Sequence, residues 1–251
     1  MTATHADVSD SLATAFLRIC PEPANLVAPA GYRDSALSLI DAVFSMQARY
    51  EGVLAVVHRY VTWAGIESVG LPTDPREADE HDLAQLLERI GDIDPDDLAR
   101  EVFESRAKSP SANRLKAELI IDAARRLTAS PVGVVARQDV ETLPDGARYR
   151  GQKQAWTSVP GLGPVTFEYF RMLCGAESSK PDIMLLRWLE AATGRRSSWQ
   201  QALVQIRDLS QELERHWGQP VSQRAVDHVI WLHQSGRDPE PVVYRPGGIK
   251  R

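Results

Sequence analysis

Apolar residues recur at helical spacing along most of the chain. Val8, Leu12, Phe16, Leu17 and Ile19 predict a helix over residues 8–20, which Pro21 and Pro23 end. A proline-containing loop follows to about Arg33. From Ser35 onward, Leu37, Leu39, Ile40, Val43, Phe44, Met46, Tyr50, Val53, Leu54, Val57 and Val61 keep a period near 3.6. Gly52 is the expected break between two helices or a bend in one, and the more polar side places Gln47, Arg49 and Glu51 beside it.

Asp82 to Ile90 reads as a short acidic amphipathic helix, and Asp94-Pro95 starts another, with Asp94 as cap and Pro95 in the first turn. Ser109-Pro110 interrupts the pattern, and Asn113 to Leu127 predicts a strongly periodic helix. Residues 129–150 contain Pro131, Gly133, Pro144 and Gly146, a loop or short helix in which Val132–Val135 is the best strand candidate. Further on, Asp182 caps a helix stopped by Gly194, Trp199 to Trp217 forms another, and Ser222 caps a last one to His233. The Pro- and Gly-rich tail from Asp238 to Arg251 is expected to be extended or mobile. No internal repeat is present. The expected fold is all-α, with roughly ten helices by this periodicity.

Composition narrows the class. A chain of 251 residues with 43% apolar and 25% charged residues can bury one large core or two lobes. Charge interrupts every apolar run, so no membrane span is expected, and the start lacks a signal-peptide pattern. A cytoplasmic location follows as an expectation. Cys20 and Cys174 are two isolated thiols, too few for a structural zinc site or a cysteine-ligated iron–sulfur cluster, and no disulfide is expected in that compartment. His228 and His233 are off the usual i, i+4 pairing, and no catalytic metal is expected.

The net charge of −5 argues against a nucleic-acid partner until its distribution is considered. Residues 67–104 hold thirteen acids against three arginines, a balance of −10 that leaves +5 for the rest of the chain. Arg106 to Arg126 carries six cations against two acids, and Asp145 to Arg196 eight against five. A basic face is therefore open to DNA, and solvated helix faces are the plainer reading of the same charges.

The most informative stretch is Val159-Pro160-Gly161-Leu162-Gly163-Pro164-Val165-Thr166. Two glycines around one apolar residue, flanked by prolines, predict a tight turn with a helix starting at Pro164. The N–H groups of Gly161, Gly163 and Val165 and the Thr166 hydroxyl are candidate phosphate ligands at that helix start, with Lys153, Arg171 and Lys180 near enough in sequence to help.

This turn resembles the helix-hairpin-helix of the DNA glycosylase superfamily that includes endonuclease III and the adenine and alkylated-base glycosylases. The family hairpin is an apolar residue, Pro, Gly, an apolar residue and Gly, matched here by Val159 to Gly163. Three segments in the same order extend the likeness over about residues 35–195. Ser45-Met46-Gln47-Ala48 is similar to the segment whose glutamine enters the duplex, Lys116 to Ile121 to the helix before the hairpin, and Asp182 stands where the family carries its catalytic aspartate, with Arg187 following. The resemblance implies a two-lobed helical fold. Residues 35–175 would form a central domain with the hairpin at about 150–175, and residues 1–34 plus 176–251 a second lobe.

Two departures shape the implied activity. Valine at position 165 replaces the lysine that attacks the sugar in strand-cutting members and cannot form a Schiff base. The four cysteines of the iron–sulfur cluster are absent, so no cofactor is expected. What remains is a monofunctional glycosylase, a monomer acting on double-stranded DNA in base-excision repair or modified-DNA processing.

Cleaving an N-glycosidic bond builds positive charge on the sugar, which a carboxylate beside the anomeric carbon stabilises. Asp182 is the candidate for that role, and an ordinary helix cap is its alternative. Gln47 would fill the gap left by the flipped base. Tyr50, Trp156, Tyr169 and Trp188 are candidate pocket walls, each with core packing as its alternative. The residues Gly161, Leu162, Gly163, Val165, Thr166, Gln47, Lys153 and Lys180 would together contact DNA. A DNA-binding protein without chemistry is the second expectation, and a protein-interaction module using residues 67–104 the third.

Overall fold

The computed structural model describes residues 5–237 except 30, 68, 70–78, 80 and 143–145. Every regular element among them is helical. The α-helices are α1 (His5–Ile19), α2 (Ser35–Phe44), α3 (Tyr50–Ala64), α4 (Leu83–Ile90), α5 (Pro95–Asp97), α6 (Lys116–Thr128), α7 (Ala147–Thr157), α8 (Pro164–Leu173), α9 (Ile183–Thr193), α10 (Trp199–Trp217) and α11 (Gln223–Ser235). A π-helical turn, Leu98–Val102, continues α5. Extended residues pair at the isolated antiparallel bridge Lys108–Leu115. The tail beyond Arg237 and Pro144 lie outside the described residues.

Backbone contacts divide the chain into two units, one of residues up to Pro29 with those from Glu177 onward, the other running from Ala30 to Ala176. In the larger unit α2 is the central rod, with all ten residues buried against neighbours that include α3, α6 and α8. A helix buried at its start must satisfy its first N–H groups from within the protein. Asp79 Oδ2 accepts from Ser35 N–H at 2.8 Å, and Asp34 Oδ1 accepts from His81 N–H at 2.9 Å. Asp82 and Asp94 cap α4 and α5. Asp79, Asp82 and Asp94 of the 67–104 block therefore serve helix starts.

Three local expectations are corrected. The chain breaks at residues 45–49 and not at Gly52, which lies in the first turn of α3; the residue with positive φ is Gln47, at 49°. Helix α6 begins at Lys116 because Asn113 takes φ 55° and Leu115 joins the bridge to Lys108. Val132–Val135 forms no strand: Val134 N–H folds back onto Leu127 O at 2.8 Å.

The smaller unit packs α1, α9, α10 and α11 around Leu12, Phe16, Leu185, Trp188, Leu189, Ile206 and Ile230. Ser198 and Gln201 form a capping box at the start of α10. At α11 the cap comes from elsewhere. Glu177 accepts from Gln223 N–H at 2.8 Å, and Ser222 spends its hydroxyl on the same carboxylate at 3.0 Å. Cys20 and Cys174 are buried and are not joined in a disulfide.

Candidate functional site

The turn between α7 and α8 is built by two glycines with different reasons to be glycine. Gly161 has φ 110°, and a Cβ there would lie 2.7 Å from Ser109 Oγ and 3.0 Å from Leu119 Cδ2. No other residue fits. Gly163 has φ −119°, and nothing lies within 4 Å of where its Cβ would be. Neither backbone conformation nor packing calls for glycine at that position.

The turn consumes more of its own donors than the sequence suggests. Leu162 N–H closes onto Val159 O at 3.0 Å and the Leu162 side chain is buried, so it is not a DNA contact. Gly163 N–H donates to Thr166 Oγ1 at 3.2 Å, and that hydroxyl also accepts from Trp156 Nε1 and donates to Gly163 O. The Thr166 hydroxyl is thus buried and saturated, and it cannot ligate phosphate. The first bond of α8 runs from Phe167 N–H to Gly163 O, which leaves the amides of Val165 and Thr166 in the turn where a helix offers no carbonyl of its own.

Trp156 is fully buried and stacked on Phe170 at 5.0 Å, so it is a core residue and not a pocket wall. Arg171 is also lost to DNA. It pairs with Glu168 at 2.5 Å inside the protein and donates to the Glu141 and Thr142 carbonyls. Tyr149 completes this buried network, donating to Glu168 at 2.5 Å and accepting from the half-buried Lys153 at 3.1 Å. Of the cations between Arg106 and Arg126, Arg106 pairs with Asp96, Arg114 with Glu118 and Asp122, and Lys116 is buried; Lys108, Arg125 and Arg126 are exposed.

Gln47 is exposed at the tip of the α2–α3 turn. Its unusual backbone is held by a residue that the sequence assigned only to a helix. Buried Lys116 donates to Phe44 O at 2.9 Å and Met46 O at 2.7 Å, a cation placed on the carbonyl end of α2. Tyr50 and Tyr169 are half-buried in the same unit. Both act on Tyr32, whose phenol is pushed well up by burial and then by Asp41, to which it donates at 2.7 Å. The larger unit thus brings Tyr32, Asp41, Tyr50 and Tyr169 together.

Asp182, Lys180 and Trp188 belong to the smaller unit. Asp182 Oδ1 accepts from Met184 N–H at 2.8 Å and Leu185 N–H at 3.3 Å, which makes it the cap of α9. Its Oδ2 lies 4.0 Å from Lys180 Nζ, and the side chain keeps 28% of its surface exposed. One oxygen therefore serves the helix while the other faces a cation. Asp227 from α11 is buried beside them, accepting from Lys180 N–H at 3.3 Å. Ser179 Oγ is buried and makes no hydrogen bond to a described residue. Trp188 is 4% exposed and meets Phe16 edge to face at 6.3 Å, a core position whose remaining surface lines an open groove of this unit. This groove, about 670 Å³, runs past Asp10, Thr14, Arg18, Trp188, Ala192 and His233, and Asp182 does not line it.

These features define an all-α protein of two helical units, one with a Pro-Gly-Leu-Gly turn at a helix start and the other with a half-exposed carboxylate at a helix start. A family model described as a domain of unknown function (DUF8548) matches residues 10–235, and the chain belongs to that family. No curated protein and no solved structure matches it.

Proposed function

We propose that this protein is a helix-hairpin-helix DNA glycosylase of the monofunctional type, gripping duplex DNA with the α7–α8 turn and assisting hydrolysis with Asp182. The observation that carries the DNA contact is Gly163. A glycine with ordinary φ and open space around it is unexplained by the fold and suits a phosphate approaching the backbone at the start of α8. Gln47 supports the reading by its exposure on a turn that Lys116 holds in an unusual conformation. In the chemistry, the Asp182 oxygen left over from the cap stabilises the sugar cation and orients water, while Val165 leaves no amine for strand cleavage.

Incubation with a panel of duplexes carrying damaged or modified bases should yield alkali-sensitive sites, and Asp182→Asn should abolish them. No base release from any duplex, with Asp182→Asn indistinguishable from the parent, would remove the enzymatic reading. A DNA-binding protein without chemistry is the second reading. It is favoured by the two cap bonds of Asp182 and by the core packing of Trp156, and it predicts salt-dependent duplex binding alone.

A further inference from the structure

Asp227 stands where α11 buries its apolar face, beside Ala225, Val226, Val229 and Ile230. A carboxylate among such neighbours is costly unless it is neutral or has a partner. Its partner is the backbone of the segment that leads into Asp182: Lys180 N–H donates to Asp227 Oδ1 at 3.3 Å, and Asp182 N–H donates to Lys180 O at 2.7 Å. The same segment is held at its other end by Glu177, whose carboxylate caps α11 through Gln223 N–H. Residues 177–182 are thus tied to one helix at two points, each through a carboxylate.

Burial, and after it the Asp182 charge, pushes the Asp227 carboxyl up to about 8, against the opposing pull of the Lys180 amide and ammonium. At neutral pH Asp227 therefore holds a proton. Two acids and one ammonium then carry no net charge. Above pH 8 a second negative charge appears beside Asp182.

We propose that Asp227 is a positioning residue for Asp182: by taking the Lys180 amide it sets the 177–182 segment on α11, so that Asp182 presents Oδ2 and Lys180 its ammonium side by side. The catalytic consequence rests on the glycosylase reading; the geometric claim does not. A protonated carboxyl offers the same acceptor as an amide, so asparagine should replace Asp227 where leucine fails.

The test uses the full chain in two arms. In carboxyl ¹³C NMR, the Asp182 signal should respond to the Asp227 titration with an inflection near pH 8 in the parent, absent in Asp227→Asn. The Lys180 amide should exchange at least about tenfold faster in Asp227→Leu than in Asp227→Asn. In base release, Asp227→Leu should lower kcat about tenfold or more with KM little changed, and Asp227→Asn should restore most of that loss and flatten the decline above pH 8. Asp182 signals and Lys180 exchange that ignore both substitutions would overturn the proposal, as would a Leu effect confined to KM. If Asp227→Leu does not fold, Asp227→Ala, which also removes the acceptor, takes its place in both arms. If the parent releases no base, the glycosylase reading falls and the NMR arm still decides the role of Asp227.

Discussion

Helices α8 and α9 both start just after a proline-containing turn, yet they meet the problem of unpaired N–H groups in opposite ways. At α8 the entry residue is Gly163, and the cap is neutral, a Thr166 hydroxyl reaching back to Gly163 N–H. At α9 the entry residue is Asp182, and a carboxylate sits on the first amides. The positive end of α8 is left uncancelled and suits an incoming anion, whereas α9 carries its own anion and suits a cation. On the proposed reading, the same element of secondary structure receives a phosphate in one unit and a developing sugar cation in the other. The second glycine and the aspartate are the two residues that make the difference.

Changing the α9 charge without changing its cap should produce the largest effect. Asp182→Asn keeps an acceptor for Met184 N–H and removes the negative charge; base release should fall by about 10²–10³, as for loss of other transition-state charge stabilisers. Duplex affinity should hardly move, which single-turnover kinetics alongside a binding titration would establish. Asp182→Ala, which removes the cap as well, should in addition cost about 0.5–2 kcal/mol of stability in urea melts.

Next in size is the contrast between the two hairpin glycines. Gly161→Ala must strain a positive φ and displace Ser109 and Leu119, and should destabilise the protein by about 2–4 kcal/mol. Gly163→Ala should change the unfolding free energy by no more than about 0.5 kcal/mol and weaken duplex binding, because only an external backbone needs that space. Equal destabilisation by both would end the distinction between a glycine for the fold and a glycine for a ligand.

The pH dependence of stability sharpens the view of the α9 side. Asp227 is raised in the folded state, so its contribution is fully present below the unfolded carboxyl value near 4 and is lost as pH rises toward about 8. His81 and His228, lowered to about 4 by burial, act in the opposite sense between about 4 and 6.5. Of these three groups only Asp227 acts between about pH 6.5 and 8, where it should lower stability by at most about 1.4 kcal/mol per pH unit. Asp227→Asn should abolish that slope in denaturant melts. The smallest expected effect is at the α8 side: Lys153→Gln should reduce the logarithmic salt slope of duplex binding by about one, if its ammonium neutralises a single phosphate.

Much of the fold was legible because helical signals are local. The period of apolar residues, Asp94 and Asp182 as caps, Pro164 at a first turn and Gly194 past a last one each act within four residues, and the helices begin and end there, whereas Ser222, the expected cap of α11, gives its hydroxyl to Glu177 instead. The break after α2 was not legible. A glycine at 52 is the better local signal, but Gln47 takes the positive φ in a turn whose carbonyls are held by a lysine some 70 residues away. Nor does sequence separate an aromatic ring in a pocket from one in a core: Trp156 is wholly in the core, whereas Trp188 is buried and also lines the groove of its unit.

The hairpin and the aspartate show the same boundary. Sequence alone determined that residues 159–166 make a tight glycine turn into a helix and that Asp182 begins another, since spacing along one chain decides both. Tertiary structure decided which donors the turn keeps for itself, which cations are already paired, and that an acid on α11 holds the segment carrying Asp182. Those outcomes depend on which groups meet after distant segments pack, and a buried polar atom takes whatever partner the packing brings to it.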